Sequence, residues 1–321
     1  MTGKIALIGG SGFVGGYLIR DLLAAGYEVR NIDIARPDFH VDKWVEADVR
    51  DIAAITKSFA GCDMIINLAA AHRDDVRPVS LYYDVNVTGA ENICRAAESN
   101  NIKTIIFTSS VAVYALNAEL PDEQTPPEPY HPYGQTKWEA EQVYQAWVAS
   151  DPMRQLLIVR PTVIFGPGNR GNVYNLMSQI AGKRFVMIGK GLNRKSLCYV
   201  ENISHFILSM LPQKPGVALY NYVDKPDWDT KTLVCFIRER LGLASGTGIS
   251  LPYWLGYLAG FGFDILARLT GKSFPISRIR IEKFCANTVF AANKAHTSGF
   301  VPKADLKTAL TTTIDHEFKK K

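Results

Sequence analysis

The sequence predicts an α/β fold: a doubly wound parallel sheet with helices on both faces, followed by a smaller C-terminal α/β part. Two observations carry this. Short apolar runs alternate with helix-patterned stretches through the first half of the chain, and a glycine-rich turn stands between the first apolar run and the first helical stretch.

The elements follow in order. Ile5-Ala6-Leu7-Ile8 is a buried strand. Residues 12–25 form a helix, with Val14, Leu18, Leu22 and Leu23 near helical spacing. Residues 27–32 are strand-like and end at Asp33. Residues 64–68, 104–107 and 156–159 are further short apolar strands, with helical patterns between them. Strands that are apolar throughout, without alternation, are buried on both faces. The proline-rich stretch 121–132 is a surface loop leading into a helix, and Pro132 suits its first turn. After Arg160-Pro161 the texture changes to a loop, Gly166-Pro167-Gly168-Asn169, and to shorter, mixed elements. The expected organisation is a nucleotide-binding domain over 1–165, to which the chain returns at about 196–240. The substrate-binding part is expected over 166–195 and 241–321.

Composition narrows the function. The chain has 321 residues, enough for about two domains, and is 47% hydrophobic and 21% charged, ordinary for a globular protein. Its net charge of +5 is too small, and its basic residues too scattered, to argue for nucleic acid. A phosphorylated substrate or an anionic membrane surface suits it better. The five cysteines, Cys62, Cys94, Cys198, Cys235 and Cys285, form no CxxC pair, and free buried thiols in a reducing compartment are expected. No metal-ligand spacing occurs. The N-terminal apolar run is too short for a signal peptide, which points to the cytoplasm.

Gly9, Gly12 and Gly15 stand in GxxGxxG spacing directly after the first strand and at the start of the first helix. The first glycine makes the tight turn and the second lets a pyrophosphate approach amides at a helix N-terminus. The third lets helix and strand pack closely, as in a Rossmann-type dinucleotide site. Asp33 closes the next strand, where a carboxylate accepts both ribose hydroxyls and repels a 2′-phosphate; this favours NAD over NADP. Arg36, just beyond, is the residue that could instead receive a 2′-phosphate. Asp48 either bonds the adenine amine or belongs to a solvated loop in which Asp51 caps a helix.

Tyr133-Gly134-Gln135-Thr136-Lys137 puts a phenol and an ammonium on one helix face. A nearby Lys⁺ favours the phenolate, so the tyrosine can serve as a base. Thr108-Ser109-Ser110 follows the strand at 104–107, placing hydroxyls at the C-terminal edge of the sheet, where such folds bind ligands. Ser110 is placed to hold a substrate hydroxyl against Tyr133.

These features together resemble the extended short-chain dehydrogenases/reductases, in their nucleotide-sugar epimerase and dehydratase branch. The resemblance runs through Asn67-Leu68-Ala69-Ala70, Asp84-Val85-Asn86-Val87-Thr88-Gly89, Thr108 to Tyr114, Tyr133 to Lys137 and Arg160-Pro161-Thr162-Val163-Ile164-Phe165-Gly166, and covers essentially the whole chain. It implies an enzyme in which Tyr133 is the base, Lys137 its partner and Ser110 the third member. It implies NAD lying against Gly9, Gly12, Phe13, Val14, Gly15, Asp33, Asp48, Val49, Leu68, Ala69, Ala70, Asn86, Thr108, Lys137 and Pro161. Asn86 would steady the loop beside the cofactor. Ala115 departs from the family, which usually has glycine after Val-Tyr.

For the substrate, the resemblance places a diphosphate against Asn175 of Asn175-Leu176-Met177 and against Lys195, where the family usually has arginine. Asn172 lies in the same segment as Asn175. Arg278, Arg280 and Lys283 form a further basic group, with Arg278 and Arg280 alternating as on a strand face, and cations and phosphates make charge-assisted bonds. His72, Arg73, Asp74 and Asp75 follow the fourth strand and either contact the sugar or form a loop salt bridge. Residues 251–263 carry no charge and five aromatic residues. The stretch 251–269 is too short and glycine-rich for a membrane span, but its Trp and Tyr suit an interface. A buried helix or a homodimer contact is the alternative. Matches over 71–76, 80–87, 169–176, 220–227 and 263–266 look like the family members that act on sugars linked to undecaprenyl diphosphate. The implied reaction is C4 epimerisation of a diphosphate-linked N-acetylhexosamine (GlcNAc/GalNAc) with bound NAD, for surface polysaccharide. It would take place at the cytoplasmic face of a bacterial inner membrane. A UDP-HexNAc 4-epimerase and a 4-ketoreductase of a nucleotide-linked deoxysugar are the alternatives.

Overall fold

A computed structural model describes residues 3–73, 76–211, 214–270 and 278–319. Seven strands form the central sheet: β1 (Lys4–Ile8), β2 (Glu28–Asp33), β3 (Trp44–Glu46), β4 (Met64–Asn67), β5 (Thr104–Thr108), β6 (Gln155–Pro161) and, much later in the chain, β10 (Gly216–Tyr222). Their order is β3-β2-β1-β4-β5-β6-β10, and every neighbouring pair is parallel. The order reverses between β1 and β4. In open parallel sheets, that reversal opens a crevice at the C-terminal strand ends.

The helices are α1 (Phe13–Ala24), α2 (Ile52–Ser58), α3 (Ser80–Tyr83), α4 (Gly89–Ser99), α5 (Pro132–Ala149), α6 (Asn172–Ala181), α7 (Val200–Ser209), α8 (Thr230–Arg240), α9 (Tyr253–Thr270), α10 (Arg278–Cys285), α11 (Asn293–His296) and α12 (Leu306–Phe318). Strand residues alternate between two cores. Ala6, Ile8, Ile65, Ile105, Leu156 and Ile158 pack with Ile55, Ile93, Tyr144 and Trp147, from α2, α4 and α5. Ile5, Leu7, Ile66, Ile106, Leu157 and Val159 pack with Leu18, Leu22, Ile203 and Phe206, from α1 and α7. Each strand is therefore apolar on both faces, as its composition requires.

A third core gathers Phe165, Val173, Met177, Leu197, Leu233, Ile237, Leu306 and Leu310. It sits around a three-stranded sheet of order β11-β9-β7, where β7 is Val163–Phe165, β9 is Arg194–Tyr199 and β11 is Asp224–Asp229. Strands β8 (Met187–Ile188) and β12 (Ser250–Leu251) pair in parallel just before α9.

Two expectations need correction. Arg278 and Arg280 belong to the helix α10, so they do not share a strand face. Of the five thiols, only Cys62, Cys94 and Cys198 are buried, while Cys235 and Cys285 are half-buried. Asp74 and Asp75 lie outside the described residues.

Candidate active site

The glycine turn is built as its spacing requires. Gly9 has φ +77°, a left-handed conformation, and a Cβ there would meet the Ala69 amide nitrogen at 2.7 Å. A Cβ on Gly15 would meet the Gly10 carbonyl oxygen at 2.4 Å, so α1 lies directly on the turn. Gly12 is the N-cap of α1 and makes no side-chain cap bond, and a Cβ there would meet only the Gly9 carbonyl oxygen, at 3.3 Å. The first amides of α1 are thus left for an anion, and the surface over Gly12 is open. Phe13 and Val14 are half-buried beside it.

Asp33 ends β2 and is half-buried; its carboxylate accepts from the Ser11 amide at 3.0 Å and from the Ala35 amide at 2.9 Å. It is therefore fixed against the glycine turn, while Arg36 is exposed. Asp48 is engaged differently from the adenine-bonding expectation. Arg50 donates to both of its oxygens, at 2.6 and 3.0 Å, and this holds the Asp48 carboxyl below the usual range. Asp51 caps α2 by accepting from Ala53 and Ala54. Val49 is buried, with its carbonyl accepting from Asn92.

The loop after β4 carries Leu68, Ala69 and Ala70, all half-buried. Asn86 ties this loop to α5. Its Oδ1 accepts from the Ala71 amide at 2.9 Å, and its Nδ2 donates to Thr136 Oγ1 at 2.9 Å and to the Ala71 carbonyl at 3.2 Å. Asn86 sits in a π-helical segment, Asp84–Thr88, between α3 and α4. Such a bulge turns a side chain out of helical register, here onto the residue preceding Lys137.

Tyr133 stands in the first turn of α5 and Lys137 one turn further on. The Tyr133 phenol hydrogen-bonds Ser110, which follows β5 and caps a short turn by accepting from the Ala112 amide at 3.1 Å. Burial pushes the Tyr133 phenol up to about 12, with the Ser110 bond acting against it. Lys137 is 2% exposed, with Nζ 4.2 Å from the centroid of the Phe107 ring. Burial brings the Lys137 ammonium down to about 7, and the Glu141 carboxylate acts against that. The expected help from Lys137 to the phenolate is not among the influences that set the Tyr133 pKa; burial dominates both groups. Because the unfolded chain binds more protons than the folded one between about pH 7 and about pH 10.5, Lys137 makes stability rise with pH across that window. Lys137→Met is expected to flatten the rise, as read by urea unfolding at several pH values.

Three supports were not foreseen from sequence. Glu141, wholly buried on α5, accepts two bonds from Arg160 of β6, Nε to Oε1 at 2.9 Å and Nη2 to Oε2 at 2.5 Å. Arg160 also donates to the Tyr114 hydroxyl at 2.8 Å, which lies 2.9 Å from Asn221 Oδ1 of β10. Pairing of a carboxylate with an arginine in the family's Arg-Pro motif is invisible in a linear pattern. Gly134 is the second. A Cβ there would lie 2.1 Å from the Ala112 carbonyl oxygen, so only glycine lets α5 approach the turn that carries Ser110. Gly134→Ala is expected to pry Tyr133 from Ser110 and lower kcat by about 10², the loss typical of a misplacement near 1 Å. Wild-type kcat in that variant would show that the two elements can separate harmlessly. The third is His131, the N-cap of α5. Thr108 Oγ1 and Ser109 Oγ are buried with no hydrogen-bond partner, at the same sheet edge as Pro161, which is buried at the end of β6.

The residues expected to bind substrate are less uniform. His72 and Arg73 are exposed after β4, the Arg73 carbonyl accepting from the Tyr82 hydroxyl. Asn172 and Asn175 are exposed on α6. Lys195 is a correction: its Nζ donates to the carbonyls of Lys283, at 3.1 Å, and Ala286, at 2.7 Å. It thereby caps the C-terminal end of α10 rather than standing free for a diphosphate, and burial brings its pKa down to about 8. Arg280 is on α10, and its side chain lies outside the described residues. Lys283 Nζ is 5.8 Å from the Tyr130 ring centroid, beside His131. A cleft of about 380 Å³ opens between Leu116 and Asn117 on one side and Tyr253, Glu282, Cys285 and Ala286 on the other.

A parallel sheet with a reversal point, a glycine turn on an uncapped helix, a fixed acidic residue and a Ser-Tyr-Lys group define a nucleotide-dependent oxidoreductase-type site. The profile described as "NAD dependent epimerase/dehydratase family" matches residues 5–221, and the chain belongs to that family. It is 48% identical over 320 residues to the N-acetyl-alpha-D-glucosaminyl-diphospho-ditrans,octacis-undecaprenol 4-epimerase of Escherichia coli, covering 99% of this chain and 96% of that one. It is 29% identical to a UDP-glucose 4-epimerase of Vibrio cholerae, over 84% of this chain and 86% of that one. In fold it is similar to the Thermus thermophilus UDP-glucose 4-epimerase in complex with NAD, with TM-score 0.75, 18% identity and 98% of each chain covered. The expectations of fold class and of an NAD-dependent epimerase-family enzyme hold.

Proposed function

We propose that this chain interconverts GlcNAc and GalNAc by epimerising C4 of an N-acetylhexosamine carried on undecaprenyl diphosphate. The observation that carries the chemistry is the Tyr133 phenol bonded to Ser110, with Lys137 one turn on, at the sheet edge beside the glycine turn. The 48% identity along the chain to the E. coli lipid-linked 4-epimerase supports the substrate.

The residues present fit NAD. The open Gly12 and the free amides of α1 suit the pyrophosphate, and Asp33 suits the adenosine ribose. Leu68, Ala69, Ala70 and the unpartnered Thr108 hydroxyl lead toward the nicotinamide end, and Lys137 suits its ribose. NAD, when bound, supplies reversible removal and return of hydride at the sugar C4, with a 4-keto sugar between. Tyr133 takes the proton of the 4-hydroxyl and later returns one to the same oxygen. Ser110 holds that oxygen by hydrogen bonding, and its bond to Tyr133 favours the phenolate as it forms. Inversion requires the keto sugar to turn over in the pocket between the two transfers. Residues 166–195 and 241–321 are assigned as the substrate part, and His72, Arg73, Asn172, Asn175 and Arg280 as its candidate ligands for the sugar diphosphate.

The lipid assignment also rests on α9. Gly256 and Gly260 lie on one face of it; a Cβ on Gly256 would meet Ile188 at 2.7 Å, and one on Gly260 would meet Ile281 at 2.8 Å. The opposite face leaves Trp254, Leu258 and Phe261 exposed, Trp254 by 61%. No helix among the described residues is long and apolar enough to cross a membrane. An apolar aromatic face followed by the basic α10 suits a peripheral dock on anionic lipid, and Tyr253 lines the cleft that also holds Leu116. Trp254→Ser with Leu258→Ser is expected to abolish co-sedimentation with phosphatidylglycerol vesicles. Unchanged vesicle binding, or loss of a solution dimer instead, would reassign that face.

The reading is tested by supplying NAD but no NADH, with GlcNAc-diphospho-undecaprenol and UDP-GlcNAc in parallel, and scoring the sugar released by mild acid. GalNAc from the lipid-linked substrate is expected. GalNAc from UDP-GlcNAc alone would move the function to a soluble UDP-HexNAc epimerase, and none from either would favour a 4-ketoreductase.

A further inference from the structure

We infer that the last turn of α12 latches the loop 166–171 in place, and that Glu317 is thereby a positioning residue for the sugar-diphosphate side of the site. The proposal rests on the reading of 166–195 as part of the substrate site.

The loop holds itself only in part. It joins β7 to α6, and Gly166, Gly168 and Gly171 make up half of it. Glycine gives up more conformational freedom on ordering than any other residue. Gly168 has φ +87°, and a Cβ there would meet nothing within 4 Å. Within the loop, the Asn169 amide donates to the Gly166 carbonyl at 3.2 Å, and Asn169 Oδ1 accepts from the Gly171 amide. Asn169 Nδ2 donates back to the Ile164 carbonyl at 3.1 Å. Further ties come from α12. The Glu317 side chain is 5% exposed. Its Oε1 accepts from the Gly168 amide at 2.7 Å and its Oε2 from Arg170 Nη1 at 2.8 Å. The His316 Nδ1 lies 3.2 Å from the same Oε1. Phe318, the next residue, stacks on Tyr174 of α6 with ring centroids 5.6 Å apart. The Arg170 guanidinium lies 4.3 Å from the centroid of that Tyr174 ring. One more tie comes from α1, where the Tyr17 hydroxyl donates to the Pro167 carbonyl at 2.9 Å.

These ties set where α6 begins. Gly171 is the N-cap of α6 and makes no side-chain cap bond, so a cap side chain does not fix the entry of the chain into this helix. Asn172 opens the helix, and the Asn175 amide donates to the Gly171 carbonyl. Tyr174, on which Phe318 stacks, stands between them. Asn172 and Asn175, the candidate ligands for the sugar diphosphate, therefore take their places from where Glu317 and Phe318 hold the loop. The Ser110–Tyr133 pair is held separately, by α5 and the turn after β5. Loss of the latch thus weakens substrate binding and leaves the chemical step alone. Binding energy shared by ground and transition states shows, when lost, as a raised KM with kcat unchanged.

The test follows turnover against the concentration of GlcNAc-diphospho-undecaprenol, or of UDP-GlcNAc if that is the sugar turned over, beside tryptophan-fluorescence titration with NAD. Glu317→Ala is expected to raise KM about tenfold, the scale of one lost charge-assisted bond, with kcat and NAD affinity unchanged. Glu317→Gln keeps an acceptor for the Gly168 amide and gives up only an ion pair to an exposed arginine, so it is expected to rescue most of that loss. Tyr17→Phe keeps the ring and cuts the tie from α1, and is expected to raise KM about threefold. A wild-type KM in Glu317→Ala, or kcat and NAD affinity falling together with a raised KM, would overturn the proposal. Should Glu317→Ala fail to fold, a wild-type KM in Tyr17→Phe would do the same. A second readout needs no turnover. Trypsin is expected to cut after Arg170 faster in Glu317→Ala than in wild type, because a freed loop is a preferred site of nicking. Equal rates of that cut would overturn the latch even if the substrate reading stands. A wild type inactive on both sugars, with the faster cut in the variant, would count against the substrate reading alone.

Discussion

Replacing Tyr133 with phenylalanine is expected to lower kcat by about 10²–10⁴, the range of a lost general base, while NAD binding stays near wild type. The ring is retained, so packing in the first turn of α5 is preserved and only the hydroxyl bonded to Ser110 is lost. Ser110→Ala should cost less, because it removes the bond that counteracts burial of the phenol but leaves the phenol in place. Tryptophan-fluorescence titration with NAD, beside the epimerisation rate, separates the two effects. A Tyr133→Phe enzyme with undiminished turnover would remove Tyr133 from the chemistry, and loss of NAD binding together with turnover would make it a structural residue.

The second large effect is on stability. Glu141 is wholly buried and Arg160 is 2% exposed, joined by two bonds beneath Lys137. Removing one partner of such a pair leaves an uncompensated buried charge. Arg160→Met is expected to cost about 3–5 kcal/mol, read from the urea midpoint. Exchanging both residues for apolar ones, Glu141→Leu with Arg160→Met, should cost less than either change alone, because no charge is then stranded. A single exchange costing under about 1 kcal/mol would mean that water or a rearranged partner compensates the remaining charge.

Much of the site was legible because it is local in sequence. The glycine turn, Asp33 at a strand end, Ser110 after β5 and the Tyr133–Lys137 spacing each follow from short patterns with a direct physical reading, and each stands where its pattern places it. What was not legible depends on distant pairing. The Glu141–Arg160–Tyr114–Asn221 chain joins residues from α5, β6, β10 and the turn after β5, which no periodicity connects. Gly134 reads as a filler within the Tyr-Lys motif until the Ala112 carbonyl is seen against it. Lys195 illustrates the reverse case. A basic residue at a position associated with diphosphate suggested an anion ligand, but the end of α10 folds over it and its ammonium serves two carbonyls. Alternation suggested a strand for Arg278 and Arg280, yet two residues two apart cannot by themselves separate period 2 from a helix, and the chain there is helical. Likewise β10 joins the sheet edge long after the alternating first half has ended, so its placement depends on register with β6 rather than on its own pattern.

The fate of one atom, the hydrogen on the sugar C4, separates epimerisation from net reduction. GlcNAc-diphospho-undecaprenol carrying deuterium at C4 is incubated with the enzyme and NAD, without NADH, and the GalNAc released is examined by mass spectrometry and NMR. The GalNAc is expected to keep its deuterium at C4, because removal and return occur within one bound complex. GalNAc that has lost the label, or that forms only when NADH is added in stoichiometric amount, would contradict this expectation.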